Sequence, residues 1–200
     1  MEKLVYGVGL NDRKYQSRVN KLDTKEYSLW LTMLQRCYDE KVWVRHKTYK
    51  DCTVSENFKN YSFFYEWCQN QVGFGDVDDG CHQFQLDKDL LIKDNKFYSE
   101  DTCVFLLQEI NKILLKNKQN RGNCIIGVCY DSTRNKFRAK LTKVNKKYNY
   151  LGRFDTEIEA FNAYKMAKEV YIKELANKWK DKIDIRAYNA LMNYQVEITD

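Results

Sequence analysis

The chain lacks any run of about 18 apolar residues, so its sequence predicts no membrane-spanning helix. The N-terminal stretch MEKLVYGVGLNDRKYQ lacks the apolar centre of a signal peptide, and we expect the protein to stay in the cytoplasm of the cell that makes it. A content of 44% hydrophobic and 31% charged residues is typical of a folded chain and excludes a disordered one.

The seven cysteines include no CxxC pair, which excludes the common zinc-finger and thioredoxin-like spacings. An odd number of cysteines without an export signal predicts reduced, mostly buried thiols. Cys37, His46 and Cys52 form the one trio whose residue types and spacing suggest zinc as an alternative.

Acidic residues are nearly absent from residues 112–153, which hold 12 basic side chains and one acidic residue, Asp131. The preceding segment, residues 76–101, shows the opposite bias, with 3 basic and 8 acidic side chains. Self-repulsion opposes such one-sign charge unless a polyanion balances it, so nucleic acid is the leading candidate partner. A basic sheet that is merely exposed to solvent is the alternative.

Residues 122–178 have the pattern of three strands followed by a helix. Within the second strand, residues 136–141, the side chains alternate: Phe137, Ala139 and Leu141 face one way and three cations face the other. Thr156 and Glu159 have the spacing of a capping box at the start of the helix. The helix is expected to cover the apolar face of the sheet, which leaves the cationic face open.

The same residues resemble the Apetala/ethylene-response-factor DNA-binding domain, most clearly in the pattern YLGxFDTxxEAxxAY at residues 150–164. That resemblance implies binding to the major groove of double-stranded DNA through the open face of the sheet, where arginine can contact guanine through two hydrogen bonds. Cys129 and Tyr130 stand where arginine is common in the family and Phe137 replaces tryptophan, so the sequence preference is not transferred. The implied DNA-facing residues are Tyr130, Arg134, Lys136, Arg138, Lys140, Tyr148, Tyr150 and Arg153.

The first part of the chain predicts helices followed by a strand, turn, strand and helix. Asp23 or Thr24 can cap a helix that begins near residue 25, and residues 49–67 predict a short strand and an aromatic-rich helix. Further on, residues 85–91 predict a strand, residues 96–99 a second strand or turn, and residues 101–115 a helix.

This order, with several short motifs, resembles the ββα-metal region of phage-encoded HNH homing endonucleases. The motifs are LDxD at 86–89, NxxYS at 95–99, TC at 102–103 and QxxN at 108–111, with YxxWxxMLxRCY at 27–38 and YKDCTV at 49–54 upstream. Such phage proteins often carry a C-terminal Apetala-type domain, which agrees with the order found in this chain.

The HNH resemblance implies a divalent ion, Mg²⁺ or Mn²⁺, held by Asp87 and Asn111, with Asp89 as a further acidic oxygen. The general base is in doubt, because Lys88 stands where these enzymes commonly hold histidine. His82 lies five residues before Asp87 and is the one histidine near the site, so the candidate catalytic set is Asp87, Lys88, Asp89, His82 and Asn111.

The sequence therefore predicts an α+β protein in which residues 1–116 form a degenerate HNH-like region and residues 122–178 an Apetala-like domain, with a helical tail at 179–200. Three functions stay open: a metal-dependent endonuclease or nickase; a DNA-binding repressor or replication-site competitor that does not cut and needs no cofactor; and a phage protein that blocks a host defence enzyme. Double-stranded DNA is the expected partner, with a homodimer or a host protein as alternatives. A phage origin would place the protein in the cytoplasm of the host bacterium.

Overall fold

The computed structural model describes residues 3–75, 84–116, 123–143 and 148–200. The architecture is α+β, and the chain divides into two compact units, Met1–Leu106 and Leu107–Asp200. The boundary expected from sequence, near residues 116–123, falls largely outside the described residues. Among the described residues, none of the helices combines the length and the apolar character needed to span a bilayer.

The first unit contains short helices around an aromatic core. The helices are α1 (Lys25–Tyr38), α2 (Glu40–Arg45), α3 (Glu56–Lys59) and α4 (Tyr61–Gln69), with a 3-10 turn at Lys47–Tyr49. Thr24 caps α1 by accepting a hydrogen bond from the backbone N–H of Tyr27, as the sequence predicts. Asn60 separates α3 from α4 and caps the second of them, so the aromatic segment forms two helices where one was expected.

The core of this unit is built by α1, α3 and α4. Trp30, Leu34, Phe58, Tyr61 and Phe64 are completely buried, and these apolar and aromatic side chains supply the burial that stabilises the unit. The indole Nε1–H of Trp30 donates to the carbonyl oxygen of Phe58 at 2.7 Å, so the polar atom of the buried ring is satisfied.

The strands of the first unit are short and form three small sheets. They are β1 (Arg18–Val19) with β2 (Leu22–Asp23), β3 (Thr53–Val54) with β5 (Phe97–Tyr98), and β4 (Phe84–Asp87) with β6 (Val104–Leu107). The β3–β5 pair is parallel and joins Thr53 to Phe97 and Val54 to Tyr98.

The region around β4 and β6 differs from the sequence prediction in two ways. The strand predicted at residues 85–91 ends at Asp87, and residues 96–99 pair with β3 and not with β4. The helix predicted at 101–115 is shorter, because Val104–Leu107 forms a strand in which every side chain is at most 1% exposed. A short, wholly buried apolar run has no periodicity that separates strand from helix, which explains the error.

The second unit contains α5 (Gln108–Leu114), a three-stranded sheet and two further helices. The antiparallel strands are β7 (Val128–Asp131), β8 (Lys136–Thr142) and β9 (Tyr148–Phe154), in the order β7-β8-β9. Helix α6 (Glu157–Lys178) packs on all three strands and α7 (Ile185–Met192) packs on α6. The predicted sheet and covering helix are therefore confirmed in the structure.

The capping box at the start of α6 is present. The side chain of Thr156 accepts from the N–H of Glu159 at 3.2 Å, and the Glu159 carboxylate accepts from the N–H of Thr156 at 3.1 Å. Ala160, Phe161 and Tyr164 then turn towards the sheet and are at most 6% exposed. The cap fixes where α6 begins, and hence which of its side chains cover the sheet.

The C-terminal tail forms a helix, as predicted, and Leu191 lies on its buried face. Ala187 and Leu191 are buried in α7, whereas Ile185, an apolar residue of the same helix, is 64% exposed. Asp184 caps the helix by accepting from the N–H of Arg186, which makes Ile185 the first helical residue and turns it outward. Beyond α7, Val196 is buried, and its N–H donates to Glu169 on α6 at 2.8 Å.

Candidate nucleic-acid interface

The two faces of the β7–β9 sheet differ in chemistry. Ala139 and Leu141 of β8 and Val128 of β7 are buried at 4% exposure or less on the face that α6 covers. Alternation along β8 places Lys136, Arg138 and Lys140 on the other face. The helix therefore leaves a cationic face open, as the sequence predicts.

The strand register extends this open face across the sheet. Arg138 is the Cα partner of Cys129 on β7 and of Arg153 on β9, and directly paired residues in an antiparallel sheet project to the same side. Lys140 is paired in the same way with Tyr150, which is 55% exposed. The open face thus carries cations on two strands beside an exposed aromatic ring.

A β-bulge adjusts the middle of the face. The register shifts between Ala139 and Lys140, because Ala139 pairs with Gly152 and Lys140 with Tyr150. Gly152 has φ +132°, a conformation that glycine adopts at little cost. The extra residue keeps Tyr150 and Arg153 on one side of the sheet, where the guanidinium carbon of Arg153 lies 5.6 Å from the centroid of the Tyr150 ring.

Asp131 lies within this cationic face and links its two arginines. Its Oδ2 atom is 3.2 Å from Nε of Arg153 and 3.6 Å from Nε of Arg138. Its Oδ1 atom accepts a hydrogen bond from Oγ1 of Thr133 at 2.7 Å. The Thr133 hydrogen bond, followed by the hydrogen bond from Arg153 and the two guanidinium charges, lowers the pKa of Asp131, so the residue is a carboxylate at neutral pH.

The other predicted DNA-facing residues lie at different places around the sheet. Arg134 is exposed in the turn between β7 and β8, and Lys136 forms an ion pair with Asp155. The backbone of Tyr148 pairs with Thr142, but its side chain lies outside the described residues.

Tyr130 does not lie on the open face. Its Cα partner is Phe137, and the two rings are in contact with centroids 5.2 Å apart, so it projects to the side of Phe137. The sequence alone does not show the strand register, and a shift of one position in register moves every side chain of a strand to the other face. The hydroxyl of Tyr130 donates to Asn135 and fastens the side chain to the β7–β8 turn.

Asp131 is a residue of the open face that was not among the predicted DNA-facing residues. The available signal was its isolation as the one acidic residue of segment 112–153. Its role depends on side chains 7 and 22 positions away along the chain, at Arg138 and Arg153, which only the strand register brings together.

The predicted catalytic residues Asp87, Lys88 and Asp89 lie at the end of β4, in a hydrogen-bonded turn. Oδ1 of Asp87 accepts from the backbone N–H groups of Asp89 at 2.9 Å and Leu90 at 2.8 Å. Burial is the main cause that raises the pKa of the Asp87 carboxyl. These contacts are those of a carboxylate that closes a turn.

Lys88 is the most buried member of this group, at 6% exposure. Its ammonium group pairs with Asp89 and donates to the carbonyl oxygen of Asn95 at 2.6 Å. The amide of Asn95 returns a hydrogen bond to the carbonyl oxygen of Lys88 at 2.9 Å. Lys88 therefore joins the turn after β4 to the segment before β5, and its ammonium group is occupied by that structural role.

The metal ligands implied by the HNH resemblance lie on two elements, Asp87 at the end of β4 and Asn111 on α5. Among the residues that the structure describes, no group of three or more His, Cys, Asp or Glu side chains has an arrangement that could hold a metal ion. His82 lies outside the described residues. A divalent ion does not fit the turn around Asp87, because the positive charge of the buried Lys88 lies beside it and the Oδ1 atom of Asp87 already accepts from two backbone N–H groups.

The three residues proposed to bind zinc differ in their exposure to solvent. Cys37 and Cys52 are each 2% exposed, whereas His46 is exposed. Burial raises the pKa of Cys37 to about 12, which disfavours the thiolate that zinc requires. The thiol of Cys52 donates to the carbonyl oxygen of Thr48. These cysteines serve as small buried apolar side chains, as the sequence analysis expected for most of the seven.

The second unit thus contains a three-stranded sheet that a helix covers on one face and that carries cations on the other, a surface suited to a polyanion. Residues 123–174 match the family model of the AP2 domain, the Apetala-type family that the sequence resembles, and this part of the chain is an AP2 DNA-binding domain. No curated protein and no solved structure matches the chain.

Proposed function

We propose that the protein is a sequence-selective binder of double-stranded DNA and that the open face of β7–β9 makes the contact. The observation that carries the proposal is the side-by-side arrangement of Arg138 and Arg153 on the face opposite α6. A two-stranded or three-stranded sheet of this size fits the major groove, where a guanidinium fork can read guanine. Arg134 and Lys140, both exposed, supply further charge for the phosphates at either side of these arginines.

The salt dependence of binding tests this proposal. If about five cations neutralise phosphates, the logarithm of the association constant should fall with a slope of roughly 4 to 5 against the logarithm of salt concentration. A gel-shift titration of the full chain on a short mixed-sequence duplex, repeated over a range of salt, measures the slope. Absence of any shift at moderate salt would exclude duplex DNA as the partner and would favour the interaction with a host protein.

A metal-dependent nickase is the second candidate, and one observation favours it. Strands β4 and β6 pair in one sheet, and α5 follows β6 directly in the chain. Two paired strands followed by a helix have the ββα order, although the second strand is formed by other residues than the sequence predicted. The contacts of Asp87 and Lys88 oppose this candidate, and we propose that the region acts as a scaffold. Only the nickase would require Mg²⁺ or Mn²⁺. The phage origin belongs to this second proposal.

Two isosteric substitutions separate scaffold from nuclease. Asp87→Asn keeps the oxygen that accepts the amides of Asp89 and Leu90 but removes a charge that burial disfavours, so we expect the variant to be at least as stable as the wild type at pH 7. The pKa of Asp87 is raised on folding, so its favourable contribution is present at low pH and is lost as pH rises through the folded-state value. The stability difference from wild type should therefore shrink on acidification in urea unfolding.

Asp89→Asn is the matched variant, with the opposite expected sign. It leaves the buried ammonium of Lys88 without its carboxylate, which should cost about 1–2 kcal/mol after allowance for the exposure of Asp89. Under the scaffold proposal, wild type and both variants leave supercoiled plasmid intact in Mg²⁺ or Mn²⁺. Nicking by the wild type that Asp87→Asn abolishes would overturn the scaffold proposal and establish the nickase.

A further inference from the structure

The position of Asp131 is unexpected for a surface that binds a polyanion. A carboxylate there repels every phosphate that approaches, yet Asp131 is only 8% exposed and held in place by Thr133. The neighbouring residues on the open face are Arg138 and Arg153. We therefore expect the carboxylate to have a favourable effect on these two arginine side chains that offsets the repulsion.

The arginine atoms that contact Asp131 indicate the nature of this effect. Both guanidinium groups approach the same Oδ2 atom through Nε, the nitrogen nearest the backbone. In the part of the chain that the structure describes, neither arginine makes a hydrogen bond through its terminal nitrogens. The Nε atom of Arg138 is buried and lies just beyond hydrogen-bond distance from its acceptor. Contact through Nε restrains the inner part of each planar group and leaves its outer fork available.

We propose that Asp131 is a specificity-determining positioning residue, which holds the guanidinium forks of Arg138 and Arg153 in the orientation that reads base edges. This inference rests on the proposed DNA-binding function and adds a division of roles within the face. Asp131 weakens attraction to phosphates in general and strengthens the selective contact, because an oriented fork loses less conformational freedom on binding. Its two effects on affinity therefore have opposite signs.

Asp131→Asn separates these effects, because it removes the charge and keeps the size of the side chain. Two probes are used with the full chain: a fixed duplex of alternating dA and dT, and a duplex library with a randomised central segment from which bound molecules are recovered and sequenced. Affinity for the fixed duplex should rise about two- to fivefold as one negative charge leaves the face. Preference among library sequences should fall by about tenfold or more at the positions that the arginines read.

Asp155→Asn is the control, since it removes one negative charge from the same domain at a residue paired with Lys136 at the margin of the face. It should raise affinity for the fixed duplex without lowering the preference. Thr133→Val, which keeps the charge of Asp131 but removes the hydroxyl that holds Oδ1, should lower the preference without raising affinity for the fixed duplex. This variant also keeps the inference testable if Asp131→Asn does not fold.

The outcomes distinguish the inference from the proposed function. A drop in affinity for both probes by the same factor with Asp131→Asn would indicate a merely structural role and overturn the inference. A wild type that binds the fixed duplex but selects no sequence from the library would also overturn it, while leaving duplex binding intact. A wild type that binds neither probe would refute both proposals.

Discussion

Replacing Arg138 and Arg153 together with alanine is expected to lower affinity for duplex DNA by roughly a hundredfold or more at moderate salt, since each oriented guanidinium contributes about 1–3 kcal/mol. The double variant removes the two cations that share the middle of the open face and leaves Asp131 without ion-pair partners there. The uncompensated carboxylate then repels the phosphates, which adds to the loss. Fluorescence anisotropy of a labelled duplex measures the change.

Arg13→Ala with Lys173→Ala provides the control for charge. Both side chains are exposed and lie outside the β7–β9 sheet, and the double variant loses the same two positive charges. We expect its affinity to fall by less than about threefold, because charges without phosphate contact act only through the long-range field. Equal losses in the two double variants would show that net charge, and not the open face, governs binding.

Gly127→Ala is expected to be the most destabilising single substitution in the second unit. Gly127 has φ +77°, and a Cβ atom added there would lie only 2.1 Å from two ring atoms of Tyr164, which α6 packs against the sheet. The positive φ costs about 1–2 kcal/mol for alanine and the overpacking about 1–3 kcal/mol, so we expect a loss of roughly 2–5 kcal/mol. Because Tyr164 anchors the helix, DNA binding should be lost along with stability.

Gly7→Ala isolates the first of these costs, that of the positive φ. Gly7 has nearly the same backbone conformation, φ +78°, but an added Cβ would meet no atom within 4 Å. Its loss of stability should stay near 1–2 kcal/mol, the cost of the backbone conformation alone. Urea unfolding of the two variants compares them, and a loss for Gly127→Ala no larger than that for Gly7→Ala would show that Tyr164 moves aside without cost.

Patterns that repeat over short distances predicted much of the second unit correctly. Alternation in Lys136–Leu141 identified the strand and its two faces, and the Thr156–Glu159 spacing identified the start of α6. Both features depend on backbone geometry within a few residues, so the local sequence contains the information. Thr24 as the cap of α1 was predictable for the same reason.

Features set by pairing between distant segments were not predictable. Residues 96–99 contain strand-forming residues, but nothing local shows that Phe97 pairs with Thr53 and not with the strand ten residues before it. The side of the sheet to which Tyr130 projects and the meeting of Asp131 with Arg153 depend on the register of β7, β8 and β9 in the same way. The buried run Val104–Leu107 was mistaken for helix because tertiary burial on all sides removes periodicity.

The central claim is that duplex DNA contacts the open face of the β7–β9 sheet. The most direct measurement follows nuclear magnetic resonance signals of the arginine Nε–H groups and the methionine methyl groups of the full chain during titration with a short duplex. We predict shifts for Arg138 and Arg153, and none for Met166, which is 70% exposed on α6. A shift at Met166 with unchanged signals from both arginines would show that the helix binds the DNA, and would contradict the account.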